Sequence, residues 1–219
     1  MFKPLYVFDM DETLINADAA MLWNAFLVEK GIATAPNFIE EDKRLMGLYS
    51  EGKLNMEDYL TFSMQPLADM PTEQVSALVE ECVEQHILPR QFKQSKPLIE
   101  QLENDDIDML IISASVTFLV EAVGRKIGIE NALGIDLIEN QGRFTSQISG
   151  VPSYREGKVT RLKEWLDNQE TNYSDIHFYT DSINDLPLCE HADFAYLVNP
   201  CPRLKALADQ PNWSILNWD

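Results

Sequence analysis

Leu5-Tyr-Val-Phe-Asp-Met-Asp-Glu-Thr-Leu-Ile15 decides the fold of this chain. Leu5 to Phe8 is a short β-prone run that passes straight into Asp9, Asp11 and the hydroxyl of Thr13. An apolar run this short, ending in polar residues, predicts a buried parallel strand with a site at its carboxyl end. Asp9 and Asp11 are two apart, so on a purely extended strand both would project from one face of the sheet. Like charges held that close repel and raise one pKa unless a cation neutralises them. The pair therefore points to a metal-dependent carboxylate site. Taken alone, it also fits an acidic turn after a strand.

Composition narrows what such a site can serve. The 219 residues carry 45% hydrophobic and 24% charged side chains, ordinary for a soluble chain that buries a sizeable core. The net charge of −19 is not ordinary. It disfavours nucleic acid and anionic lipid as partners, and any phosphate site must supply its own local cations. No apolar stretch approaches a membrane span, and Asp9 cuts short the leading apolar run, so no signal peptide is expected. Cys82, Cys189 and Cys201 are scattered and odd in number, which fits reduced thiols in a cytoplasmic protein. His86, His177 and His191 are too few for a His-rich metal site and fit packing or surface roles.

Outward from the acidic stretch, Asn16 or Asp18 can cap a helix running to about Lys30, with Gly31 as its stop. From Pro36 to about Leu88 the pattern is helical throughout. It predicts one helix over Ile39–Tyr49 broken by Gly52, a second capped by Asn55, and a third opened by Pro71 and Thr72. The acidic runs Glu40-Glu-Asp42 and Asn104-Asp-Asp106 are expected to be solvated faces. Beyond Pro89, helices and short strands alternate. Strands are expected at Asp108–Ile112, Ile135–Ile138, Ile176–Thr180 and Phe194–Val198, with a closing segment at Trp213–Leu216. Asn140-Gln-Gly142 predicts a hairpin turn. Helices are expected at Pro97–Asn104, Phe118–Ile127, from Lys158 through Leu166, at Leu186–His191 and at Arg203–Ala208. The alternation implies an α/β fold, a Rossmann-like doubly wound parallel sheet with an inserted α-helical cap.

Ligands in such sheets bind outside the carboxyl ends of the strands. Asp9, Asp11 and Thr13 fall at one such end, Ser113 and Ser115 at a second, and Asp181, Ser182, Asn184 and Asp185 at a third. Lys158 stands at a helix start between them. Acids, a hydroxyl and one lysine at strand ends suit phosphoryl transfer to a carboxylate nucleophile. A hard divalent cation on carboxylate oxygens offsets phosphate charge, while lysine and hydroxyl groups hold the equatorial oxygens. Each residue has a plainer alternative: Lys158 as an exposed lysine, Ser113 as a helix cap, Ser115 as a cap or lining residue, Asn184 and Asp185 as caps of the following helix.

Asp9-Met-Asp-Glu-Thr13, Ser113, Lys158 and Asp181-Ser-Ile-Asn-Asp185 resemble, in order, the four motifs of the haloacid dehalogenase superfamily, phosphatase branch. The resemblance covers nearly the whole chain. It implies a hydrolase core at 1–16 and 88–219 and a helical cap at 17–87, similar to that of phosphoserine phosphatases. It further implies a Mg²⁺-dependent phosphomonoesterase with Asp9 as nucleophile and Asp11 as general acid, then base. Mg²⁺ would be held by Asp9, the Asp11 carbonyl and Asp181, with Asp185 in support. Phosphate would be held by Ser113, Lys158 and Asn184, with Thr13 and the Ala114 backbone beside them. The partner implied is a small-molecule phosphomonoester, met by a monomer or homodimer. A phosphomutase shares these motifs; a phosphorylatable receiver or a phosphate-binding regulator is the alternative of another class. A receiver keeps its acidic pair and its acceptor aspartate on separate strands, unlike Asp9 and Asp11.

The resemblance also bears on substrate. Glu51-Gly-Lys-Leu-Asn-Met-Glu57 is similar to the cap stretch of phosphoserine phosphatases, but Met56 stands where those enzymes carry an aromatic residue. Ser63 stands where they carry the arginine that grips the serine carboxylate, and Asp18 keeps the place of the acid that meets the substrate amine. Serine cannot replace a bidentate arginine. An amino-alcohol phosphate without a carboxylate is therefore expected to fit better than phosphoserine. Tyr59-Leu-Thr-Phe-Ser63, Tyr179 through Leu188, Val198-Asn-Pro200 and Trp213 through Leu216 resemble bacterial histidinol-phosphatase-like hydrolases, whose usual second motif Ser113-Ala-Ser-Val116 departs from. Asp18, Met56, Tyr59 and Ser63 are the candidates for the substrate face; Met56 and Tyr59 equally suit the interior of the cap.

Overall fold

The computed structural model describes residues 3–219. Strand β1 (Lys3–Phe8) lies at the centre of a six-stranded sheet. The other strands are β2 (Asp108–Val116), β3 (Asn131–Ile135), β6 (Tyr173–Thr180), β7 (Phe194–Val198) and β8 (Trp213–Leu216), in the order β3-β2-β1-β6-β7-β8. Every neighbouring pair is parallel. Leu5 and Val7 face one apolar cluster with Leu110, Ile112 and Phe178, while Phe8 faces the other with Ile111 and Tyr179. Helices on both faces keep both sets dry, which is why β1 is apolar at successive positions rather than alternating. The chain winds outward from β1 to β3 and returns to the other side at β6. The switch point between β1 and β6 opens a crevice at their carboxyl ends.

Between β1 and β2 the described chain is helical: α1 (Ala19–Glu29), α2 (Phe38–Ser50), α3 (Met56–Met64) and α4 (Thr72–Cys82). Asp18, not Asn16, caps α1, its carboxylate accepting from Met21 N–H at 2.8 Å. Asn55 caps α3 through the N–H groups of Glu57 and Asp58. Apolar residues of α1 and α4, among them Trp23, Phe26, Val75 and Val79, share one cluster with Phe8 and Ile111 of the sheet. Leu45, Met56, Tyr59 and Leu60 of α2 and α3 instead pack on Ile135, Leu137 and Ile148.

Asp42 corrects the expectation of a solvated run at 40–42. It is 1% exposed and accepts from Asn24 Nδ2 of α1 at 2.8 Å. Phe38, Asp42 and Leu45 form the buried stripe of α2 at i, i+4, i+7 spacing, so the helical period carries the acid inward.

The remaining helices are α5 (Ser95–Asn104), α6 (Thr117–Ile127), α7 (Glu156–Asp167), α8 (Leu186–His191) and the short α9 (Pro202–Lys205). Lys158 thus lies inside the first turn of α7, and the helix expected over 203–208 is shorter. The strand expected at 135–138 divides at Asp136. Ile135 ends β3 in the main sheet, and β4 (Leu137–Asn140) pairs antiparallel with β5 (Arg143–Ile148) in a separate hairpin. Gln141 and Gly142 both take positive φ (51° and 72°), as a two-residue hairpin turn requires. β2 runs past Ile112 to Val116, so Ser113 and Ser115 are strand residues. No described helix is long and apolar enough to cross a membrane.

Candidate active site

Phe8 pairs with Ile111 of β2 and Tyr179 of β6, so Asp9, Ser113 and Asp181 emerge together at the sheet's carboxyl edge. The Asp9 N–H donates to Tyr179 O at 2.9 Å, which continues the ladder one residue beyond the strand. Its carboxylate meets Lys158 Nζ at 2.8 Å. Lys158 is fully buried and also lies 2.8 Å from Asp185, which accepts a further bond from Thr180 Oγ1 at 2.7 Å. Gly157 permits this placement, since a Cβ there would stand 2.0 Å from Pro152 O. Burial pushes Asp9 up to about 7, opposed by Lys158 and reinforced by Asp185 and Asp11. Burial also disfavours the Lys158 ammonium, but Asp185 and Asp9 outweigh it and hold its pKa above the ordinary lysine value.

Asp9 and Asp11 do not project side by side from an extended strand. β1 ends at Phe8, and Glu12 takes a left-handed φ of 54°, turning the chain back on itself. Asp11 therefore has partners of its own. Its Oδ1 accepts from Ala19 N–H at 2.6 Å, and its Oδ2 accepts from Ser113 Oγ at 3.2 Å and Ser115 Oγ at 3.0 Å. Burial and the nearby Asp18 push Asp11 up to about 7 against these donors. Ser115 is thus a direct partner of Asp11 rather than a helix cap. Residues two apart on a strand share a face, and that spacing was the available signal.

Thr13 Oγ1 donates to Asp181 at 3.4 Å, while burial and the charges of Asp9 and Asp185 hold Asp181 well above the usual carboxylate range. Asn184 is buried and its amide donates to Tyr49 O at 3.0 Å, across to the end of α2. Of the four acids, Asp9 and Asp185 contact the buried Lys158 ammonium, while Asp11 and Asp181 meet only hydroxyl and N–H donors. Both Asp185 oxygens lie at Lys158, leaving the repulsion between Asp9 and Asp181 unrelieved. Among the described residues, no three His, Cys, Asp or Glu side chains converge closely enough to enclose a metal by themselves. Excess negative charge on hard oxygen donors, few of them carboxylate, fits a Mg²⁺ ion that keeps several waters.

Two small adjoining pockets, about 40 and 20 Å³, run from Asp11 beneath α2 and α3, and Ala20, Tyr59, Ala114 and Ser115 line both. Asp18 and Met56 line the nearer one; Asn24, Trp23 and Ser63 line the farther. All four residues expected at the substrate face therefore meet these pockets. Among the described residues, no lysine or arginine does. Larger hollows beside Trp213 and beside Lys3 are open and lie at the amino ends of the strands, away from the carboxyl edge.

The family model of the haloacid dehalogenase-like hydrolases matches residues 6–190. The chain belongs to that family. This haloacid dehalogenase-like hydrolase is 33% identical over 220 residues to the histidinol-phosphatase of Neisseria meningitidis serogroup C (strain 8013), covering 99% of each chain. It is 27% identical over 207 residues to the phosphoserine phosphatase of Methanocaldococcus jannaschii, covering 94% of this chain and 90% of that one. A crystal structure of a protein of unknown function from Bordetella pertussis Tohama I superposes with a TM-score of 0.89 at 29% identity, covering 99% of both. The hydrolase is a phosphatase of the haloacid dehalogenase type.

Proposed function

We propose that this phosphatase hydrolyses a small amino-alcohol phosphate through an aspartyl-phosphate on Asp9, with Mg²⁺ as cofactor. One observation carries the proposal: Asp9 and Asp11, though two residues apart, have separate partners suited to separate tasks. Burial lifts both to about 7, but Lys158 beside Asp9 opposes the rise there and favours its ionised form. Asp11, lifted by burial, can hold a proton near neutral pH.

In the first step an Asp9 carboxylate oxygen attacks phosphorus while the ester oxygen leaves, taking its proton from Asp11. In the second step Asp11, now ionised, takes a proton from a water that attacks the same phosphorus. The P–O bond to Asp9 breaks and free phosphate leaves. Mg²⁺, when bound by Asp9, the Asp11 carbonyl and Asp181, would supply positive charge against the phosphoryl oxygens. Lys158 and Ser113 stand where they can reach those oxygens, with Thr13, Asn184 and the Ala114 backbone alongside. α2, α3 and the β4–β5 hairpin exclude bulk water, which protects an acyl phosphate.

The pockets support the substrate class. Asp18 suits an ammonium, Met56 and Tyr59 give apolar walls, and Ser63 offers no cation for a carboxylate. The test is phosphate release, with Mg²⁺ or with EDTA, from histidinol phosphate, phosphoserine and a sugar phosphate. Histidinol phosphate should be the best of the three, only with Mg²⁺, and Asp9→Asn should be inactive on all. Full activity of Asp9→Asn, or a preference for phosphoserine, would overturn the proposal.

A further inference from the structure

Tyr49, at the end of α2, lines the nearer pocket, and the chemistry above leaves its side chain unused. Its ring lies against that of Tyr154 with centroids 5.5 Å apart, and its carbonyl accepts from Asn184 Nδ2 at 3.0 Å. Ring and backbone are thus both held against the core. Among the described residues, Tyr49, Tyr59 and Ser115 bring hydroxyls to this pocket. Ser115 Oγ donates to Asp11, and the Tyr59 hydroxyl is hydrogen-bonded with Asn24. The Tyr49 hydroxyl has no side-chain or backbone partner among the described residues, and unlike that of Tyr154 it is not sealed from the pocket.

The two tyrosines face different groups. Burial, then Asp18 and Asp42, holds Tyr59 well above the ordinary tyrosine pKa; for Tyr49, burial is followed by Asp185, Asp9, Asp181 and Asp11. Tyr59 therefore looks towards the acid proposed for the substrate ammonium, and Tyr49 towards the nucleophile and its neighbours. The donors on the core side are already engaged: Lys158 with Asp9 and Asp185, Ser113 and Ser115 with Asp11, Thr13 with Asp181. A phosphoryl group at Asp9 brings acceptor oxygens into a chain of net charge −19. A neutral O–H with no partner can meet one of those oxygens without giving up an existing bond, and a hydrogen bond to a charged acceptor is among the stronger kinds.

We infer that Tyr49 is a further catalytic residue, supplied by α2, whose O–H donates to a phosphoryl oxygen of the substrate and of the aspartyl-phosphate. This rests on the proposed attachment of the phosphoryl group to Asp9 and deepens it. The phenol keeps its proton throughout, so it stabilises charge on the phosphoryl oxygens and takes no part in the proton transfers of Asp11. The phosphate site is then complete only when the end of α2 lies over the sheet edge.

Tyr49→Phe removes one oxygen and keeps the ring, so its melting temperature should stay near wild type. Its kcat/KM should fall by about 10–100-fold, as for one hydrogen bond to a charged group. The fall should be the same on acetyl phosphate, an aryl phosphate and histidinol phosphate, whose leaving groups differ. Binding of inorganic phosphate in the presence of Mg²⁺, followed by calorimetry, needs no turnover and should weaken by about tenfold or more. Tyr154→Phe loses a buried hydroxyl without a partner beside the same ring, and should stay within about twofold of wild type in both measurements. A loss confined to one leaving group, unchanged phosphate affinity in Tyr49→Phe, or an equal loss in Tyr154→Phe overturns the inference. Full activity of Asp9→Asn counts against the proposed function, whereas weaker phosphate binding by Tyr49→Phe still supports the contact.

Discussion

The backbone N–H of Ala19 donates to Asp11 Oδ1 across 2.6 Å, so the first residue of α1 fixes the orientation of the proposed acid–base. Asn at position 11 would keep an acceptor for that N–H but carry no transferable proton. Asp11→Asn is expected to lose about 10²–10⁴-fold in kcat on an alkyl phosphate, and less on an aryl phosphate whose leaving group needs no proton. Its melting temperature should stay near wild type. Asp11→Ala leaves Ala19 N–H and the Ser113 and Ser115 hydroxyls without this acceptor, and should cost a further 1–3 kcal/mol of stability, about one buried unpaired group. Equal losses on alkyl and aryl phosphates would remove Asp11 from proton transfer.

Lys158 is the fully buried ammonium between Asp9 and Asp185. Lys158→Met leaves those buried charges facing each other and is expected to cost about 3–5 kcal/mol in urea unfolding. Adding Asp185→Asn should recover part of that loss, since it removes one of the stranded acids. A double variant no more stable than Lys158→Met alone would show that the pair is not energetically coupled.

Most of this architecture was legible because the apolar runs of β1, β6 and β7 are short, bounded and feed into polar residues. Asp9 and Asp181 were legible for the same reason: they fall where strands of the parallel sheet end, whereas Lys158, in the first turn of α7, was legible only through the order of the motifs. Asp42 was not, because an acid in an acidic run gives no sign that its helix turns it inward onto Asn24. Asp9 and Asp11 were placed on one face because spacing alone cannot disclose the left-handed turn at Glu12. The split at Asp136 was hidden by an apolar run that spans two sheets.

The pH dependence of stability follows from Asp9 and Asp11. Both are raised from 3.8 to about 7, so the folded, metal-free protein binds more protons than the unfolded chain between those values. Their favourable contribution is complete below the unfolded pKa and is lost as pH rises through the folded one. A cation held by these acids offsets the repulsion that appears as they ionise. The rise in melting temperature on adding Mg²⁺ should therefore be larger at about pH 8 than at about pH 5. Differential scanning fluorimetry with Mg²⁺ and with EDTA measures it, and an equal rise at both pH values would contradict the coupling.

Ser63 is buried against the farther pocket, which no lysine or arginine lines among the described residues. Ser63→Arg should raise the ratio of kcat/KM for phosphoserine over histidinol phosphate by about tenfold or more, through a bidentate pair. The pocket beside it is only about 20 Å³, so the larger side chain should also cost stability. Overpacking of this kind is typically worth about 1–3 kcal/mol. An unchanged substrate ratio in a folded variant would dismiss Ser63 as the reason for discrimination.

Three side chains from the sheet side grip backbone carbonyls at the end of α2: Asn184 on Tyr49 O at 3.0 Å, Arg155 on Gly52 O at 2.9 Å and Arg203 on Glu51 O at 3.2 Å. They tie the segment that roofs the nearer pocket to the turn after Asp181, to the residue before α7 and to α9. Each such bond contributes about 0.5–1.5 kcal/mol net, so losing one should favour opening by about 2–10-fold. Arg155→Ala and Arg203→Ala are therefore expected to speed amide exchange across residues 47–56 by that factor, leaving exchange in β1 and β2 unchanged. Arg155 should have the larger effect, because its bond is part-buried while that of Arg203 is exposed. If opening is needed only to admit substrate and release product, KM should change more than the rate of the phosphoryl step. Exchange that quickens equally throughout the sheet would mean that these arginines support the whole fold and do not latch its roof.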